Sequence, residues 1–341
     1  MTWTPERSSV NQTLQFGLES TPGTNVPATK LLQCFTLGMA PMADVTSFTP
    51  TGRKYASIVI ENSEWVEGTL GGELDYNGIV YALSGACGAA SIGASGSSAT
   101  AKLWTFSPPL SGSVQPQTYT IEQGENNAYG NAIYNHKVNY GLFNDFGYKG
   151  DRKTGFTLSG KLLAQSLQRS ITMTSTPTAV ALQPSAGKHF NVYLDPTSAA
   201  LGTTQLLKVL NVDFSFSNIY TPFFPLNRAN LGWTAHVDTK PTSTIKLLME
   251  ADATGMTQLT SLQAGTTQFL DFKGLGLQIA ADGPGAVFAT FEHQMAVKVS
   301  KPNPFTDKDG VFAEEWEFEI VEDATWGNAQ KFLITNLLTA L

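Results

Sequence analysis

The stretch VFAEEWEFEI (311–320) alternates strictly, with Trp316, Phe318 and Ile320 on one face of an extended chain and Glu315, Glu317 and Glu319 on the other. A period of two is the mark of a half-buried β-strand, so the aromatic face is expected to enter a core. Three carboxylates side by side on one strand face repel one another. The pattern therefore predicts a surface that needs negative charge. VEGTLGGELDY (66–76) is similar, with Glu67, Thr69, Gly71, Glu73 and Asp75 on one face and Val66, Leu70, Leu74 and Tyr76 mostly on the other. Alternation tells which face is polar; whether that face lines an interior or a solvated exterior stays open.

Strand signals dominate the rest of the chain. YASIVIE (55–61), AKLWTF (101–106), QTYTIEQ (117–123), AIYNHKVNYGLF (132–143) and GFTLSGKLL (155–163) are separated by Gly, Pro and Asn clusters, and a second series follows residue 200. Two segments have helical spacing, NGIVYALSGACG (77–88) and TSTIKLLMEADATG (242–255), each ending at a glycine suited to a C-cap. GAASIGASGSSATA (88–101) consists of small residues and is expected to form a loop that does not pack on its own.

The same landmarks come round twice in the same order. GTNVPATKLLQ (23–33) has a counterpart in GTTQLLK (202–208), TYTIEQG (118–124) in QFLDFKG (268–274), and AIYNHKVNYGL (132–142) in ATFEHQMAVKV (289–299). GFTLSGKLL (155–163) stands where the second half has EEWEFEIVE (314–322), and a candidate helix falls between the first and second landmark of each half. The length of 341 residues fits two domains. The predicted division is an N-terminal arm over 1–22, a first domain over 23–170, a linker over 171–199 around STPTAVALQPSAG, and a second domain over 200–341. Arm and small-residue loop lack the apolar content to fold alone and are expected to order by contact with a neighbouring molecule.

A net charge of −7 and a pI near 5.1 argue against a protein that grips nucleic acid. Charged residues make up only 14 % of the chain, which points either to a surface largely buried in an assembly or to a weakly charged extracellular monomer. Cys34 and Cys87 read as two buried free thiols. MTWTPERSSVNQT carries no apolar signal core and no stretch is long enough to span a bilayer, so a soluble protein without an export signal is expected.

Candidate chemistry is sparse. His136, His189, His236 and His293 lack metal-ligand spacing, and no nucleophile elbow or P-loop occurs. The acidic clusters form ladders rather than a glycosidase pair. Trp65, Trp104, Trp233, Trp316 and Trp326 raise a sugar-stacking platform as an alternative, although tryptophan in alternating strands belongs to a core. Asp307, Asp309 and Gly310 in FTDKDG read as a turn, since the further ligands of a calcium loop are missing.

Taken together, FGLESTPGT (16–24), PMADVTSFTPTGRKY (41–55), EGTLGGELDYNGIVYALSGACG (67–88), LWTFSPP (103–109), TYTIEQG (118–124), VYLDPTSAALGTTQLL (192–207), QAGTTQFLDFKG (263–274), FTDKDGVFAEEWEF (305–318) and NAQKFLITN (328–336) give the chain its character. It resembles the major tail tube proteins of long-tailed, non-contractile bacteriophages over nearly its whole length. The resemblance implies a mostly β fold of two tandem tube β-sandwich domains, each with a short flanking helix, whose inner sheets join into a ring-wide β-barrel. It implies no enzyme and no cofactor, but a virion protein assembled in the host bacterial cytoplasm, with three duplicated chains per pseudo-hexameric ring and rings stacked into a conduit for double-stranded DNA. Its implied partners are other copies of itself, a tape measure protein, a tail terminator and distal tail proteins, with no membrane. Glu67, Glu73, Asp75, Glu315, Glu317 and Glu319 would then face DNA that passes without tight binding. The alternatives from other classes are a carbohydrate-binding β-sandwich module or tail adhesin, and a secreted enzyme.

Overall fold

The computed structural model describes residues 9–96, 98–125, 135–226, 231–281 and 285–341, and it is mostly β. The first half carries β1 (Thr13–Leu18), β2 (Lys30–Leu31), β3 (Phe35–Phe48), β4 (Ile58–Glu73), α1 (Ile79–Cys87), β5 (Ser91–Ala94), β6 (Lys102–Phe106), β7 (Tyr119–Gly124), β8 (His136–Asp151), β9 (Gly155–Ala164), β10 (Ser166–Arg169) and β11 (Thr178–Ala179). The second carries β12 (Phe190–Asp195), β13 (Gln205–Leu206), β14 (Val209–Ser217), β15 (Tyr220–Phe223), β16 (Ala235–Asp238), β17 (Thr242–Glu250), α2 (Ala253–Ala264), β18 (Gln268–Ala280), β19 (Val287–Pro302), β20 (Thr306–Lys308), β21 (Val311–Ile320) and β22 (Gln330–Asn336).

One pairing plan occurs twice. In the first half β2 pairs with β1, β1 with β7, β7 with β8, β8 with β9, β9 with β4 and β4 with β3, while β10 adds to β8. In the second, β13 pairs with β12, β12 with β18, β18 with β19, β19 with β21, β21 with β17 and β17 with β14, while β22 adds to β19. Each of these pairs is antiparallel. The landmarks repeated in the sequence occupy matching strands, and Gly23 and Gly202, ahead of β2 and β13, share a φ of 80° that only glycine adopts without strain.

The two halves are sewn together by a ladder between β14 and β8, running from Val212 opposite Gly150 to Phe216 opposite Phe146. This makes one through-going row, β3–β4–β9–β8–β14–β17–β21–β19. The row is not closed: among the described residues β3 has β4 as its only ladder partner, and the end of β19 has only β21. Beneath it the core is shared. Tyr148 of β8 lies against Phe214 at 5.0 Å and stacks on Phe272 at 5.1 Å, both from the second half. Trp316 and Phe318 are fully buried as the alternation of β21 requires, each contributing roughly 1.5–3 kcal/mol by leaving water.

Several expectations need correction. Residues 242–250 form β17 rather than a helix, because Ile245, Leu247 and Met249 alternate into the core; the helix begins only at Ala253. Asp252 caps it by accepting from the Gly255 N–H at 2.9 Å, and the left-handed C-cap is Gly265 instead of Gly255. The small-residue loop contains β5, which pairs with β6. Residues 1–8 of the arm and residue 97 of the loop lie outside the described residues. Thr13–Leu18, assigned to an arm that orders on assembly, is instead a strand whose Leu14 and Phe16 are buried within the chain. The linker region likewise contributes β11 and β12 to the ladders. The strand signals at 55–61 and 66–76 belong to one strand, β4, and its partner β3 escapes the pattern because its outer two-thirds are exposed on both faces.

Candidate functional site

The outward face of the through-going row collects the acidic residues, and the pairing register decides what stands beside each. One line across the strands reads Glu73, Thr157, Lys149, Asp213, Lys246, Glu317, Lys301. The next reads Thr36, Gly71, Ser159, Gly147, Ser215, Thr244, Glu319, Lys298. Gly38, Thr69, Lys161 and Asp145 begin a third. Directly opposed residues lie about 4.5–5.5 Å apart at Cβ, whereas Glu315, Glu317 and Glu319 are separated along their own strand by roughly 6.5 Å. Glu317 and Glu319 thus meet a cross-strand lysine sooner than another acid, whereas Glu315 stands opposite Leu248, Glu73 opposite Thr157 and Glu67 opposite Leu163.

The side chains follow that logic. Glu317 sits between Lys246 at 3.5 Å and Lys301 at 3.4 Å. Asp213 binds Lys149 at 2.7 Å. Glu315 accepts from the Asn303 amide at 2.6 Å, and Glu319 is exposed opposite Lys298. Glu67 accepts from the Trp65 indole at 3.1 Å, and Glu73 stands exposed at the end of β4. The ladder of acids is therefore interleaved with lysines along the lines of Glu317 and Glu319, while Glu67, Glu73 and Glu315 have other neighbours. The lysines were missed because each is an unremarkable polar position of its own strand; only register brings them to the glutamates.

Asp75 leaves the set. The alternation of β4 ends at Glu73, and the chain turns to deliver Asp75 into the interior. Its Oδ1 accepts from the N–H groups of Gly78 at 2.7 Å and Asn77 at 3.0 Å, and its Oδ2 accepts from the Gln183 N–H. It thereby holds the entry to α1 and ties residues 181–185 across it, a structural task. Burial pushes its pKa up, and the backbone donors, Gly78 foremost, pull it back.

The remaining candidates are structural in their contacts. His293 is buried, stacked on Phe332 with ring centres 3.9 Å apart. His236 meets the Tyr140 hydroxyl at 3.1 Å, and His189 accepts from the Ala186 N–H at 3.2 Å. Trp104, Trp233 and Trp316 are buried, and Trp65 and Trp326 half-buried, so these five form no exposed platform for a sugar. Asp309 and Gly310 adopt φ of 56° and 81° in the β20–β21 turn, where Asp309 binds Lys153 at 2.6 Å. Cys87 is buried and Cys34 half-buried, both as free thiols; burial pushes the Cys34 pKa up to about 12, with the Asp75 charge adding to it. Among the described residues no helix is long and apolar enough to cross a membrane. Compared with known proteins, the chain matches no family model and no curated sequence.

Proposed function

We propose that this chain is the repeating subunit of a long-tailed bacteriophage tail tube, a structural protein and not an enzyme. The observation that carries the reading is the doubled pairing plan whose two copies are joined by a strand ladder and whose through-going row is open at both ends. In the proposal each half is a tube β-sandwich domain with one flanking helix. Three chains continue the row into a closed barrel of six equivalent units, which removes the open edges at its two ends, and rings stack into the tube of the virion tail. Assembly takes place in the host cytoplasm, with tape measure, terminator and distal tail proteins at its ends.

The polar face then lines the lumen. A basic wall would bind DNA by releasing counterions, holding it at every ring. Here Lys149, Lys246 and Lys301 are already engaged by Asp213 and Glu317, and Gly71, Gly147, Ser159 and Ser215 offer little to grip. Lys161 and Lys298, exposed on the same face, each stand opposite an acid, Asp145 and Glu319, so such a wall offers a phosphate backbone little cation without an acid beside it. Electron microscopy of the purified protein tests the reading: stacked rings of three chains are expected, whereas rings of six chains, or a protein that stays dispersed at high concentration, would overturn it.

A further inference from the structure

We infer that a second copy of this chain docks head to tail on the first by repeating three contacts that the chain makes with itself across its own midline. The inference rests on the self-assembling reading above and names the surfaces. Within the chain, three elements of the second half lie on the first. Strand β14 ladders onto β8. The short helical turn Gly187–His189 leads Phe190 onto the start of β9, its ring 4.5 Å from that of Phe156. The excursion between β14 and β17 folds over α1 and β9, with the Tyr220 hydroxyl on the Ala86 carbonyl at 2.9 Å and the Trp233 indole on the Ala164 carbonyl at 3.0 Å.

Every one of these elements has a counterpart at the ends of the chain. The first half supplies β3 in place of β14, the turn Ser9–Asn11 ahead of β1 in place of Gly187–His189, and the long β3–β4 hairpin in place of the excursion. The second half supplies the β19–β20 edge in place of β8, the start of β21 in place of that of β9, and α2 in place of α1. In the single chain two of these counterparts, the start of β21 with the neighbouring edge and the β3–β4 hairpin, expose apolar side chains. Phe312, second residue of β21 as Phe156 is of β9, is 61 % exposed where Phe156 is 6 %. It stacks on Phe305, itself 50 % exposed, at 4.5 Å. On the hairpin Phe48, Ile58 and Ile60 are each at least half exposed. In the relation the midline displays, the chain leaving the turn Ser9–Asn11 meets Phe312 at the start of β21, and the apolar hairpin lies over α2 and the end of β21. Pro302 and Pro304 withhold two N–H donors from the receiving edge, so apolar contact carries more of this joint than of the internal one.

The contact is heterologous, so blocking one end leaves the other intact. Two variants test it by sedimentation: an edge variant, Phe305→Arg with Phe312→Arg, and a hairpin variant, Ile58→Arg with Ile60→Arg. Each alone is expected to raise the concentration needed for assembly at least tenfold over wild type while leaving the circular dichroism spectrum unchanged. Mixed in equal amounts, they should form dimers and stop, each supplying the end the other lacks. Should either arginine pair disturb the fold, Phe305→Ser with Phe312→Ser and Ile58→Thr with Ile60→Thr replace it. Wild type that forms rings while both variants do so equally would overturn this interface and leave the tube reading standing. A mixture that stays monomeric would also overturn it, pointing to like-with-like contacts, and a wild type that never assembles would remove both proposals.

Discussion

The Tyr148 hydroxyl of the first half and Nδ1 of His293 in the second lie 2.9 Å apart in a region closed to solvent. Because Nε2 of the same ring faces the Gln330 side-chain oxygen at 3.2 Å, Nε2 carries the proton and Nδ1 accepts from Tyr148. Burial drives the His293 pKa down to about 3, so the imidazole stays neutral in the fold. One hydrogen bond thus fastens the two halves to each other inside a common core.

Removing it with Tyr148→Phe leaves Nδ1 buried without a donor, and a loss of about 1–3 kcal/mol is expected in thermal or urea unfolding. The histidine also makes the fold sensitive to acid. Unfolded, it takes up a proton near pH 6.5; folded, it does not until about pH 3. Its contribution is therefore whole above pH 6.5 and is lost progressively as pH falls toward 3. Melting curves from pH 7 to pH 4 should show this decline in the wild type and a shallower one in His293→Gln.

Asp271 pulls in the opposite direction. Burial, assisted by the Glu292 charge, raises its pKa to about 7, and its buried Oδ1 has no hydrogen-bond partner. Between pH 4 and 7 the folded state holds a proton that the unfolded state has released, so this group lowers stability as pH rises. Asp271→Asn should raise the melting temperature at pH 8, by an amount worth about 1–3 kcal/mol, and change little at pH 4. An equal effect at both values would show that the carboxyl is not the cause.

Glu317 and Glu319 should respond differently to the same change. Glu317→Lys places a third ammonium between Lys246 and Lys301, with an expected cost of about 1–2 kcal/mol, while Glu319→Lys on the exposed end of the line should stay within about 0.5 kcal/mol. Glu317→Gln keeps the shape and releases both lysines, which in the proposed tube would stand free on the lumen wall. If the proposed tube is right, virions carrying it should eject DNA more slowly, with added salt restoring the rate; ejection at the wild-type rate would count against a lumen position for this face.

For Asp75 the expected loss lies in the fold. Asp75→Ala strands three backbone donors at the entry to α1 and should cost about 2–4 kcal/mol in chemical unfolding. Asp75→Asn retains an acceptor oxygen and should cost roughly half as much. In the proposed tube neither change should alter DNA passage once assembled, since Asp75 is buried.

The sequence alone carried the strand alternation, the burial of Trp316 and Phe318, helix α1, and the order of landmarks that the two halves share, because side chains partition between core and water residue by residue and local spacing records it. Helix α2 begins 11 residues later than expected, at Ala253 rather than residue 242, since the short mixed segment Thr242–Glu250 fits a buried strand or a helix equally well and only its neighbours, β14 and β21, decide. Asp75 was misread for the same kind of reason: a period of two assigns a face only while the strand lasts, and the turn after Glu73 is set by the donors of Gly78 and Gln183. The charge of the polar face was wholly a matter of tertiary structure. Lys246, Lys298 and Lys301 come to Glu317 and Glu319 through ladders between strands distant in the chain, and cross-strand register, which no single strand encodes, turned a run of glutamates into an alternating surface.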